Sequence, residues 1–248
     1  MTMKQNQRRV IGIVTPSVNT CVQPEFEAMR PPCVTHQISR MWMESVAIHD
    51  DDSFMEVIRA IDRSVEPAVD SVMKAKPHHL IVGVSIEAVW GGLSGADALR
   101  KRIEDRSGTA VTLASDALIA AVRASNIDGP IAVVAPYRPP GMEQVKNFFA
   151  ECKIPLVRTR ALPHDRSIDL AHYSKASLAE ALRAIDGPDI AGIVQFGANV
   201  AMARLAGEAE NWLGKPVIAV NTATYWHGLR SLKIDHKIDG FGQLFRDH

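Results

Sequence analysis

The chain repeats one pattern of apolar segment and polar loop, and this doubling restricts it to an architecture with two equivalent halves. Arg9–Val14 (RVIGIV) and Gly129–Val134 (GPIAVV) are short apolar runs of strand character. The first opens into Thr15-Pro16-Ser17-Val18-Asn19-Thr20, the second into Ala135-Pro136-Tyr137-Arg138-Pro139-Pro140-Gly141. His79–Ser85 (HLIVGVS) pairs in the same way with Ala191–Gly197 (AGIVQFG), both stopping at small residues. Thr109–Asp116 (TAVTLASD) pairs with Lys215–Thr222 (KPVIAVNT), each followed by a helix-like stretch ending at Arg123 or Arg230. Open α/β sheets bind ligands outside the carboxyl ends of their parallel strands. Two such units with polar loops at those ends predict a site in the cleft between them.

The remaining segments fit this frame. Strand candidates are 10–14, 34–39, 79–84, 110–114, 130–135, 155–160, 190–196 and 216–220. In Phe54–Lys74 the apolar residues Met55, Ile58, Ile61, Val65, Ala68, Val69 and Val72 recur at helical steps. Asp52 or Ser53 is expected to cap that helix, and Pro67 to kink or break it. Met142–Cys152, Ser174–Ile185 and Val200–Leu213 show the same periodicity, the last closed by Gly214-Lys215-Pro216. Alternating strands and helices predict right-handed crossovers and mostly parallel sheets. The expected division is 1–115 plus 223–248 for the first half and 116–222 for the second, with the last helix packed back on the first half.

Bulk properties exclude several classes. The 248 residues suffice for one large α/β domain or two small ones. The 28 basic and 28 acidic residues cancel, so there is no electrostatic footprint for nucleic acid or an anionic membrane. No apolar run approaches the length of a bilayer span. The N-terminus, MTMKQNQRRV, is polar and lacks the apolar core of a signal peptide, so a cytoplasmic protein is expected. The cysteines, Cys21, Cys33 and Cys152, are odd in number and have no CxxC spacing, as for reduced thiols. His78-His79 and Asp235-His236 have no metal-ligand spacing, and Gly91-Gly92…Gly95 lacks the context of a dinucleotide fingerprint. No cofactor and no metal is expected.

Motifs in order along the chain carry a resemblance. Gly12–Thr20 (GIVTPSVNT) is similar to the PSxNT loop of the maleate isomerase and arylmalonate decarboxylase group, within the aspartate/glutamate racemase superfamily. His36–Met41 (HQISRM) resembles the group's second strand, and Val134-Ala135-Pro136-Tyr137 its TPY loop. Gly214–Val217, Asn221, Ala223, Trp226 and Leu229-Arg230 resemble its GxPV…N…A…W…LR segment. Leu229–Leu244 (LRSLKIDHKIDGFGQL) resembles its C-terminal ending. The resemblance spans almost the whole chain and implies two pseudo-symmetric flavodoxin-like α/β halves, each with a four-stranded, mainly parallel sheet. It also implies carbanion or enolate chemistry next to a carboxylate. Racemases and maleate isomerases of the superfamily use one cysteine from each half, and the decarboxylases keep only the second. Here the first position falls in Gly83-Val84-Ser85 and the second at Gly197, so both thiols are missing. Chemistry that needs a thiolate in place is therefore not carried over.

Each candidate residue has a functional and a structural reading. Pro16, Ser17 and Asn19 stand in a loop whose N–H groups and short side chains can converge on a carboxylate, or can close an Asx or Ser/Thr turn. Tyr137 can donate to a carboxylate or enolate oxygen, or simply sit at a loop edge. Gly83 and Val84 end a buried strand where the backbone can approach a ligand, and Ser85 can donate to an oxyanion. Glu87 suits proton transfer if it points inward beside Trp90, where burial raises its pKa; otherwise it is a solvated glutamate at a helix start. Gly197 and Ala198 leave room for water or substrate, Asn199 and Asn221 offer carboxylate donors, and Gly197→Cys is expected to be tolerated unless Gly197 has positive φ. Cys21 would have a lowered pKa at a helix N-terminus, but like Cys33 and Cys152 it matches neither thiol position. His227 on the last helix could reach the site or be a hydrogen-bonded core residue.

The function expected is a cofactor-independent lyase, a decarboxylase or related elimination or hydration catalyst, acting on a small carboxylate or dicarboxylate through an enolate-like intermediate. Water or Glu87 would supply the proton. The alternatives are a cis-trans isomerase or racemase of a small dicarboxylate, and a non-catalytic carboxylate-binding or sensing protein. The partner expected is a small-molecule carboxylate substrate, with a homo-oligomer left open and neither nucleic acid nor membrane involved.

Overall fold

The computed structural model describes residues 8–248. Residues 1–7, which hold most of the polar N-terminus, lie outside the described residues. The chain runs β1 (Arg9–Pro16), α1 (Val22–Ala28), β2 (Val34–Met41), α2 (Asp51–Val72), β3 (His79–Val82), α3 (Gly92–Ser107), β4 (Val111–Thr112) and α4 (Ala114–Ala124). It continues with β5 (Ile131–Ala135), α5 (Pro139–Glu151), β6 (Leu156–Ala161), α6 (Lys175–Ile185), β7 (Gly192–Gln195), α7 (Ala203–Leu213), β8 (Val217–Ala219) and α8 (Val220–Ser231). α9 (Gln243–Asp247) closes the chain. The strands form two four-stranded sheets of order β2-β1-β3-β4 and β6-β5-β7-β8, and all their pairings are parallel. The architecture is the doubled α/β frame that the repeated segments predict.

Local chemistry explains the element ends, with two corrections. Asp50, not Asp52 or Ser53, caps α2: its carboxylate accepts from Ser53 N at 2.8 Å, while Ser53 Oγ accepts from Asp50 N at 3.0 Å. α2 also continues through Pro67. Proline removes one backbone bond there, yet Phe54, Ile58, Ile61, Val65, Ala68, Val69 and Val72 keep a continuous buried stripe on both sides of it. Pro139 and Pro140 start α5, where their missing N–H groups cost nothing.

The central strands β1, β3, β5 and β7 are almost wholly buried, which places their carboxyl ends inside the molecule. α8 approaches the first sheet so closely that a Cβ on Gly228 would lie 2.6 Å from Ile81 Cδ1. The tail beyond it is tied to α7 and to the end of α4. Gln243 N donates to Glu210 of α7 at 2.7 Å, and Gln243 Nε2 to Ser125 O at 3.4 Å. One hydrophobic core joins Ile13, Val82 and Val57 of the first half to Phe149 and Phe196 of the second. The halves therefore meet through apolar packing, and their strand ends face a common cleft.

Candidate active site

The cleft holds a cavity of about 600 Å³, its mouth included. Pro16, Asn19, Gly83, Val84 and Ser85 line it from the first half, and Tyr137, Gly197, Ala198 and Asn199 from the second. Apolar side chains supply much of the rest of the wall: Met43, Ile48, Phe54, Val57, Ile58 and Ile61 from the β2–α2 region, and Leu170 from the loop before α6. None of the lining residues is lysine or arginine. An anion in this space meets no permanently charged cation.

Hydrogen-bond donors come from a tightly braced turn. Gly197 follows β7 with φ +100°, a conformation that favours glycine. Its N–H and that of Ala198 both donate to Ser85 Oγ, each at 3.2 Å. Gln195 Nε2 donates to Gly197 O at 3.0 Å and also bonds Phe196 O. Asn221 Nδ2 donates to Ala198 O at 3.0 Å, and Gly197 O accepts Val200 N at 3.0 Å. The carbonyls of the turn are thus tied back, and two N–H groups are left pointing forward, as in an oxyanion hole.

Ser85 links this turn to the phenol. Its Oγ lies 2.7 Å from Tyr137 Oη. A hydroxyl has two lone pairs and one proton. The two N–H groups fill the lone pairs, so the Ser85 proton goes to Tyr137 Oη. The Tyr137 proton is then the one left for a ligand. Burial raises the Tyr137 pKa far above the ordinary phenol range, with the Ser85 hydrogen bond opposing it. Tyr137 is a donor, not a base. Each bond in this chain polarises the next.

Several sequence candidates have other roles. Ser17 does not line the cavity. Its Oγ donates to Met43 O at 2.9 Å and accepts Met43 N at 3.0 Å, clasping the loop after β2. Asn19 Oδ1 accepts Cys21 N and Val22 N at 3.0 and 2.9 Å, the Asx turn that starts α1, so only its Nδ2 is left over. The Asn199 amide lines the cavity but is fully committed: Oδ1 accepts Thr20 N at 2.9 Å, and Nδ2 donates to Ser167 O at 2.8 Å and Val18 O at 3.3 Å. It stitches the halves together. Asn221 stands behind the Gly197 turn, and its Nδ2 also donates to Glu25 at 2.6 Å. Gly83 is small for packing as well, because a Cβ there would lie 2.9 Å from Val22 Cγ1.

Glu87 is the clearest departure. The short turn Glu87–Val89 carries it to the side of α2 and α3, where it lines a different hollow with Arg59, Asp62, Trp90 and Arg102. Both carboxyl oxygens are buried without a hydrogen-bond partner among the described residues. Burial pushes its pKa up to about 8, so the group is largely neutral at pH 7 and lies outside the cavity lining, near enough for its charge to raise the Tyr137 pKa. The thiols stay out of the site too. Burial, with the neighbouring Glu25 second, pushes the Cys21 thiol up to about 12 rather than down. His227 Nδ1 is bound to Thr112 Oγ1 at 3.0 Å, the structural reading. Gly197 cannot accept a thiol freely: beyond its positive φ, a Cβ would lie 2.5 Å from Pro136 Cδ.

One titratable residue that sequence reasoning missed lines the cavity. His164, in the loop after β6, is half-buried there. Its loop is legible as a strand end, but nothing in Leu162-Pro163-His164-Asp165 distinguishes this imidazole from any other. No cluster of three or more histidine, cysteine or acidic side chains suited to a metal occurs among the described residues. No helix among them is long and apolar enough to cross a membrane.

Comparison with known proteins adds to this geometry. A sequence model of the arylmalonate decarboxylase family matches residues 11–245. The maleate isomerase of Pseudomonas putida is 28% identical over 250 residues, covering 94% of this chain and 96% of that protein. Among solved structures, a Nocardia farcinica maleate cis-trans isomerase variant with a covalently bound succinylcysteine intermediate superposes with a TM-score of 0.86 at 23% identity, covering 97% of this chain and 99% of its own. A liganded double mutant of arylmalonate decarboxylase gives a TM-score of 0.83 at 22% identity, covering 97% and 100%. At these identities the structures speak for the fold.

Proposed function

The chain belongs to the arylmalonate decarboxylase family, as an enzyme of decarboxylase or isomerase type, and from that premise we propose that it is a cofactor-independent decarboxylase of small malonate-type acids bearing an apolar substituent. The observation that carries this reading is a relayed donor, the Gly197 and Ala198 N–H groups acting through Ser85 on Tyr137, in a largely apolar cavity without lysine or arginine. A carboxylate pressed against Phe54, Val57, Ile58 and Ile61 loses its hydration and meets no lysine or arginine. Loss of CO2 relieves that state. The electron pair of the broken C–C bond passes to the α-carbon and spreads onto the retained carboxylate. The Tyr137 O–H, polarised by its relay, donates to the oxygen on which that charge grows.

Thiol-dependent isomerisation fits less well, since no cysteine lines the cavity and Cys21 is held protonated. The test is direct. Purified protein is incubated with phenylmalonate, methylmalonate and maleate, and CO2 release and products are followed by NMR. Release of CO2 from the substituted malonates, with maleate unchanged, is expected. Fumarate from maleate would establish the isomerase instead, and tight binding of all three without turnover would establish a carboxylate binder.

A further inference from the structure

We infer that His164 carries the proton to the substrate's α-carbon, with Nε2 as the reacting atom; this rests on the decarboxylase reading above. Among the residues lining the cavity, Tyr137 and His164 are the only ones with a titratable side chain, and Tyr137 is held protonated by burial. The neutral imidazole is also presented in a defined tautomer. Its Nδ1 lies 3.2 Å from Leu162 O, and a carbonyl only accepts, so Nδ1 carries the hydrogen and Nε2 the lone pair. Nε2 has no partner among the described residues.

The loop that bears the ring is anchored to both halves. Leu162 N donates to Ala135 O at 2.9 Å in the second half. Ile48 N of the first half donates to Asp165 O at 2.7 Å, and Ala47 and Arg166 form an antiparallel bridge. The position of His164 is therefore set by the closure of the two halves, as a proton-transfer group requires.

The charges around the ring suit the role. Burial holds the His164 pKa below the ordinary imidazole range, while Asp165 and Asp169 favour the charged ring and Arg138 opposes it. The free ring is neutral near pH 7. A dianion in the cavity, with no lysine or arginine lining it, raises the His164 pKa, and the ring takes a proton from solvent through its exposed side. When CO2 departs, the Nε2–H bond breaks and its proton joins the electron pair on the α-carbon. The ring returns to neutral and is recharged from solvent. Each turnover consumes one solvent proton and releases one CO2.

The experiment uses the intact protein and phenylsuccinate, a dicarboxylate that is a dianion near pH 7 and, not being a malonate, does not lose CO2. Calorimetry in two buffers of different ionisation enthalpy reads proton uptake on binding. Wild type is expected to take up about one proton per bound dianion near pH 7 at most, and His164→Asn about none. The asparagine amide keeps the bond to Leu162 O and removes only Nε2, and imidazole NMR of the wild type reads the same protonation without any variant. With phenylmalonate, His164→Asn should lose about 10²-fold or more in kcat with KM little changed, and added imidazole should restore part of the turnover of His164→Ala. Unchanged proton uptake in His164→Asn, or unchanged kcat, overturns the assignment while leaving the decarboxylase reading intact. A wild type that neither binds the dianion nor releases CO2 overturns both.

Discussion

After β3 the chain runs Gly83-Val84-Ser85-Ile86-Glu87; at the matching place after β7 it runs Gln195-Phe196-Gly197-Ala198-Asn199. The two stretches leave equivalent strands at the same cleft and solve the same problem in opposite ways. The first half offers a side chain, the Ser85 hydroxyl. The second offers its own backbone, two N–H groups turned forward by the positive φ of Gly197. Two residues further on the contrast sharpens. The Asn199 amide is hydrogen-bonded through both its atoms across the interface, whereas the Glu87 carboxyl is buried with no partner among the described residues. Repeated sequence thus preserves the route of the backbone, while the chemistry at each end is set by what the other half places opposite it.

The largest effect should come from the end of the relay. Tyr137→Phe removes the donor that reaches the ligand and should lower kcat by about 10²–10³, read in the CO2-release assay. Ser85→Ala should cost less, because the two N–H groups then face the ligand directly. An equal loss in both variants would make the first half's hydroxyl the donor and reverse the comparison.

The orphaned acid predicts a pH dependence of stability. In the folded chain Glu87 is raised from its ordinary 4.5 to about 8. Between those values the unfolded chain has released the proton and the folded chain retains it. The contribution is therefore fully present below about pH 4.5 and is lost as pH rises through about 8. Removing the charge with Glu87→Gln should flatten this slope, a relative gain of a few kcal/mol at pH 9 over pH 4. Denaturant melts of both proteins across that range check it; parallel curves would mean the carboxyl finds a partner.

Next is the backbone donor pair. Gly197→Ala sets a Cβ against Pro136 at positive φ, and should lower unfolding stability by about 2 kcal/mol or more. A neutral result by the same melts would show that the turn relaxes and that its N–H groups are not held in place. The smallest effect is expected at Ser17→Ala. It breaks the clasp to the Met43 backbone without removing a cavity-lining side chain, so stability should fall by about 1 kcal/mol, with KM little changed. A large rise in KM would return Ser17 to the site.

Much of this architecture is legible in the order of residues. The β-branched runs at 9–16, 79–82, 131–135 and 192–195 declare themselves because buried central strands need apolar residues on both faces. Ser85 and Tyr137 are legible as strand-end hydroxyls. The 2.7 Å contact between them is not, since they lie in different halves. Asn19, Asn199 and Asn221 look alike as donors, and only their neighbours show that their amides mainly cap, stitch and brace. The short spacing of Glu87 from Ser85 suggests a carboxyl at the cleft, but the turn at Glu87–Val89 redirects it.

The order and character of the segments, the doubling and the family were therefore determined by the sequence alone. These are local or periodic properties, written in residue types and their spacing. What only the tertiary structure decided is which polar groups remain free. Hydrogen-bond capacity is finite, and whether Asn199 or His164 has an atom left for a ligand depends on partners far away in the chain. Burial is likewise collective: Cys21 and Glu87 are ordinary in sequence, and the packing of both halves around them moves their pKa values up.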